Sequence, residues 1–142
     1  MAMSLQSPEL DAWASGFPVM LLHGAVTLAI FAGGAALYAL LSPHREMRLA
    51  RGGNPAAALS FGAVLLGLAL PLAFALAAST SLLEVALWGV STAVVQLFLF
   101  WLIDLVLHGL PRRVREGDLG AAALLAAARL AVAALLAAAV AG

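Results

Sequence analysis

The chain contains no cysteine and no lysine, and charged residues make up only 10% of its 142 positions. Without cysteine there can be no disulfide, thiolate nucleophile, iron-sulfur cluster or Cys-ligated zinc, although that absence does not identify a redox compartment. A water-soluble domain has roughly a quarter of its residues charged, so the scarcity of charge excludes a soluble fold. The seven basic residues, all arginine, are cancelled by seven acids to a net charge of zero. That removes the basic surplus of a nucleic-acid binder. What the chain does contain is apolar: 65% of its residues, with a mean hydropathy of +1.09. These features describe an integral membrane protein whose first partner is the lipid bilayer.

A helix needs about 20 apolar residues to cross a hydrocarbon core of roughly 30 Å. Four stretches meet that length: Phe17 to Leu41, Pro55 to Ala78, Leu82 to Leu107 and Leu119 to Ala141. They are expected to be helical, because lipid offers no partner to a backbone amide. Continuous apolar runs without period-two alternation also exclude a membrane barrel. The breaks between them are punctuated. Pro43 closes the first span, Asn54-Pro55 reads as an N-cap followed by proline at the first helical position, Ser79-Thr80-Ser81 makes a tight turn, and Asp118 caps the last span.

Six of the seven arginines lie in two connections, Arg45, Arg48 and Arg51 in the first and Arg112, Arg113 and Arg115 in the third. The positive-inside rule makes these topology-determining, with both loops in the cytoplasm and both termini in the periplasm. Residues 1–16 then form a periplasmic tail carrying Glu9 and Asp11. That tail lacks the positive start and small-residue cleavage site of a signal peptide. Three arginines per loop, offset by Glu46, Glu116 and Asp118, fall short of a lipid-headgroup site.

An offset of 64 residues superposes His44 on His108, Arg48 on Arg112, Arg51 on Arg115, Gly53 on Gly117 and Asn54 on Asp118. The chain therefore reads as one two-helix hairpin written twice, residues 17–78 and 82–142, in tandem and in the same orientation. The fold class expected is all-α, with four transmembrane helices.

The run Gly53-Asn54-Pro55-Ala56-Ala57-Ala58-Leu59-Ser60-Phe61-Gly62, continuing through Leu66-Gly67 to Leu70-Pro71-Leu72-Ala73, then Ser81-Leu82, Trp88-Gly89 and Gln96-Leu97, resembles domain-of-unknown-function family 350, the YjfL-like proteins. The resemblance covers roughly residues 18–142, and the fourth span departs from the pattern in being alanine and leucine around Arg129. It implies a bacterial inner-membrane, multi-pass protein with no assigned catalytic activity.

Within the spans the informative side chains are the polar ones, His23, Glu84, Gln96, Asp104 and Arg129. An ionised group at the bilayer centre costs about 2.5–3.5 kcal/mol on insertion scales. Arg129 lies roughly 15 Å from the cytoplasmic start of its helix, Gln96 roughly 18 Å from the same surface and Asp104 roughly 6 Å. One reading makes Arg129, Gln96 and Asp104 a polar path or anion site. The other makes Arg129 a brace paired with Asp104, or a side chain that snorkels to the interface. Glu84 suits the positive end of the third helix dipole. His23, His44 and His108 share no ligand spacing, so no metal site is read from them, although His44 and His108 could face each other at the cytoplasmic rim.

Gly62 and Gly67 on the second span, and Gly33 and Gly34 on the first, form small faces suited to helix packing. Pro71 should kink the second span. Trp13, Phe17 and Trp88 suit the outer interface, and Tyr38 and Trp101 the inner one. No catalytic set, phosphate loop or cofactor motif is present, so the expectation is not an enzyme. It is a structural or accessory component that forms a homo-oligomer or joins a membrane complex. The alternative is an ion-channel or transporter subunit using Arg129 and Gln96.

Overall fold

A computed structural model describes residues 7–42 and 45–142. The described residues form six helices, α1 (Pro8–Leu41), α2 (Glu46–Arg51), α3 (Pro55–Ala78), α4 (Leu82–Val106), α5 (Leu110–Arg115) and α6 (Leu119–Ala141). Helices α1, α3, α4 and α6 are long and apolar enough to cross a membrane. Pro43 and His44 lie outside the described residues, as does the start of the N-terminal tail.

Two features differ from the expected layout. The first helix begins at Pro8 and not at Phe17, because Ser7 accepts from the Leu10 N–H and proline occupies the first turn. Its 34 residues span about 51 Å, well beyond the hydrocarbon thickness. The two arginine connections are also not plain loops, since each folds a six-residue helix, α2 and α5. The residue ranges of these two helices are offset by 64 positions, and so are the bonds that follow them. Asn54 N–H donates to the Leu49 carbonyl and Asp118 N–H to the Arg113 carbonyl, both at 3.0 Å. Gly53 and Gly117 take φ of 93° and 88° in the intervening turns, a conformation glycine adopts without a Cβ penalty. Asn54 and Asp118 then cap α3 and α6 by accepting from Ala57 and Ala121.

Helices α3 and α6 pack along a seam of small residues. Ala56, Ser60, Ala63 and Gly67 of α3 are buried, as are Ala122, Ala126, Arg129, Ala133 and Ala137 of α6, at spacings of three and four that keep each set on one face. Asn54 ties the start of α3 to α5 by donating to the carbonyls of Val114 and Arg115. A second apolar cluster, Tyr38, Val64, Leu68 and Phe100, joins α1 and α4 to this pair. The outer half of α1, residues 8–22, is largely exposed. Helix α3 runs unbroken through Pro71.

The four glycines assigned to packing divide into two pairs. A Cβ on Gly67 would stand 2.8 Å from the Phe100 ring, and one on Gly34 would touch Leu68. On Gly33 and Gly62 it would meet nothing within 4 Å among the described residues. Gly67→Ala is therefore expected to cost about 1–3 kcal/mol through overpacking. Gly62→Ala should stay within about 0.5 kcal/mol of wild type or gain from helix propensity. Thermal unfolding of the two variants in detergent makes the comparison.

Candidate functional site

Arg129 is fully buried in the α3/α6 seam, where a run of small side chains leaves room for a long one. A helical side chain leans toward the N-terminus of its own helix. The guanidinium consequently reaches back toward the end of the bundle that carries α2 and α5, and five elements meet there. Glu46, at the start of α2, binds it in fork geometry: Nη1 donates to Oε2 and Nη2 to Oε1, both at 3.2 Å. From α3, Ser60 accepts through its hydroxyl at 2.7 Å and its carbonyl at 3.1 Å. Tyr38 of α1 accepts through its hydroxyl at 2.8 Å, and Asp104 of α4 through Oδ1 at 2.9 Å.

The acceptors also support one another. The Tyr38 hydroxyl donates to Glu46 Oε1 at 3.3 Å and the Ser60 hydroxyl to Glu46 Oε2 at 3.1 Å, so Glu46 is held from three sides. The guanidinium carbon lies 5.6 Å from the Tyr38 ring centroid and 6.0 Å from that of Phe100, within cation–π range. Glu46 is 1% exposed and Arg129 0%, whereas the Asp104 side chain is 16% exposed. Asp104 borders an open groove of about 320 Å³ between α1 and α4, lined by Leu37, Tyr38, Val94, Phe98 and Trp101. Buried charges survive only when paired and hydrogen-bonded, and this cluster meets both conditions.

The structure joins Arg129 to Asp104 and leaves Gln96 outside the cluster, buried on α4 with neither amide atom hydrogen-bonded among the described residues. Glu84 closes the start of α4: its Oε2 accepts from the Thr80 N–H and hydroxyl, and Ser81 accepts from the Glu84 N–H. His23 is half-buried on α1, where its carbonyl accepts from Thr27. His108 is exposed, and His44 lies outside the described residues. Arg45, Arg48, Arg51, Arg112, Arg113 and Arg115 are all exposed at the α2 and α5 end.

Three participants escaped the sequence reading. Glu46 entered it only as an offset to loop charge, Ser60 only as part of the run that carries the family resemblance, and Tyr38 as an interfacial anchor. Tyr38 is instead 8% exposed and belongs to the interior, because its hydroxyl has charged partners there. The signal for Glu46 was present in the spacing Glu46, Leu49, Ala50, one helical face whose other two members pack on the apolar core.

At the surface, Asp118 caps α6, and the Ala121 N–H bond, followed by the Arg113 side chain, holds its carboxyl below the usual carboxylate range. A folded-state pKa lowered in this way adds stability above the unfolded value, and that contribution disappears as pH falls through the folded value. The melting temperature should therefore drop on acidification below about pH 4. Asp118→Asn keeps a capping oxygen and should lose part of that acid dependence.

Residues 12–140 match the family described as Domain of Unknown Function (DUF350). The inner membrane protein YjfL of Escherichia coli strain K12, designated UPF0719, is 30% identical over 95 residues, covering 67% of this chain and 72% of its own. YjfL of Escherichia coli O157:H7 matches to the same extent. No solved structure matches.

Proposed function

Because the chain belongs to the DUF350 family and has four helices long and apolar enough to cross a membrane, we propose that it is a structural or accessory component of the bacterial inner membrane that self-associates or joins a larger membrane complex. The observation that carries this reading is the enclosure of Arg129. Its two terminal nitrogens find acceptors on α1, α2, α3 and α4, so the charge ties α6 to every other long helix among the described residues. That is the chemistry of a brace, and it weighs against a pore in which Arg129 and Gln96 meet across an oligomeric axis. No group of three or more His, Asp or Glu placed to hold a metal is found among the described residues, and the proposal includes no enzymatic activity.

Gly33 and Gly62 support association, since their open faces allow close approach by another helix. The cysteine-free chain makes a direct test simple. Gly62→Cys should form a cross-linked dimer in oxidised membranes, and the wild type in mild detergent should run above the mass of one chain. A monomeric mass without cross-linking would sink self-association, and co-purifying subunits would direct the reading to a complex.

The orientation proposed places α2 and α5 in the cytoplasm, following their arginines. Alkaline phosphatase fused after Gly142 should then be active. An inactive fusion expressed at normal level would reverse the topology. Ion flux through liposomes of purified wild type, absent from Arg129→Leu of unchanged assembly, would favour transport over bracing.

A further inference from the structure

We propose that buried water occupies the α3/α4 interface beside Gln96, held between the Gln96 side-chain amide and the Gly67 carbonyl. Gln96 is 0% exposed, and neither its Nε2 nor its Oε1 has a hydrogen-bond partner among the described residues. The amide offers two donors and two lone pairs, all costly to leave unmade away from water.

The register identifies what lies opposite. Phe100 is one turn along the same face of α4 and presses on Gly67, where a Cβ would meet its Cζ at 2.8 Å. In the other direction Gly89 lies between α1 and α3: a Cβ there would stand 2.8 Å from Ile30 Cδ1 and 3.7 Å from Leu72 Cδ2. Gln96 therefore lies against the stretch of α3 between Gly67 and Leu72, which contains Pro71. Proline has no N–H, so the carbonyl four residues earlier, that of Gly67, loses its helical donor. Two under-bonded polar groups thus stand at the same depth of one interface.

Complete burial keeps lipid and a second chain away from this point, so the occupant must be small and must both donate and accept. Water fits, and an internal water typically takes two to four polar partners, which the amide and the carbonyl supply. Phe100 stands between this site and Arg129, with the guanidinium carbon 6.0 Å from its ring centroid. The site is therefore separate from the arginine cluster.

The chain has two glutamines, Gln6 and Gln96. Labelled with glutamine carrying ¹⁵N only in its side-chain amide, a Gln6→Ala variant reconstituted in lipid bilayers gives that signal from Gln96 alone, because Asn54 stays unlabelled. Water-edited solid-state NMR should show magnetisation transfer from water to that signal. Pro71→Ala restores an N–H to the Gly67 carbonyl and should weaken the transfer at least about twofold. Absence of transfer without the Pro71 change overturns the proposal, and transfer unchanged in Pro71→Ala overturns the carbonyl as the second partner. Gln96→Leu provides an independent reading. A lowered melting temperature is expected, since the water loses its anchor, whereas a raised one would mean that the amide had been dry.

Discussion

Arg129→Leu is expected to destabilise the protein by about 3–5 kcal/mol, the usual cost of removing one partner from a buried ion pair. The size of the effect comes from what remains. Glu46 keeps its charge at 1% exposure with only the Tyr38 and Ser60 hydroxyls to support it. Arg129→Lys should rescue poorly, because an ammonium cannot reproduce the fork that grips both Glu46 oxygens or stack as a plane beside Tyr38. Thermal unfolding in detergent, followed by circular dichroism, would show the loss. A Leu variant as stable as wild type would mean that the cluster contributes nothing to folding.

Glu46→Ala should cost a similar amount, about 3–5 kcal/mol, for the complementary reason that it strands the guanidinium. This is a sharp test, since Glu46 lies on a six-residue helix that composition alone assigns to a connection. Combining Glu46→Leu with Arg129→Met removes both charges and supplies apolar volume. The double variant should lose less than the sum of its single variants, with a coupling of about 0.5–3 kcal/mol. Strict additivity would show that the two side chains do not depend on each other.

The four long helices were legible in the sequence because lipid imposes a length and an apolarity that no other context demands, and the caps at Asn54 and Asp118 were legible because proline, glycine and an Asx side chain mark them locally. Depth alone set Gln96 level with Arg129, and the pairing with Asp104 was one of two open readings, requiring the arginine to lean toward the interface. What remained hidden depended on approach between segments far apart in the chain: Glu46 and Arg129 are 83 positions apart, and Tyr38 and Arg129 are 91. Hydropathy averages over a window and gives a short helix such as α2 no weight. Nor does it distinguish an aromatic at the membrane surface from one turned inward. The same limit applies to glycine. Gly62 and Gly67 look alike in sequence, yet only Gly67 has a phenyl ring against it, because which face of a helix meets a neighbour is settled by the whole bundle.

The arginine cluster also dictates an order of manufacture. Each group that receives the guanidinium, on Tyr38, Glu46, Ser60 and Asp104, is synthesised before Arg129 leaves the ribosome, and α6 follows all of them in chain order. Alone in hydrocarbon that helix carries an uncompensated charge near its middle, at about 2.5–3.5 kcal/mol on insertion scales. Delivered into three helices that have already gathered, it meets a finished receptor. Helix α6 is thus the segment whose charge is compensated only once α1, α2, α3 and α4 are in place.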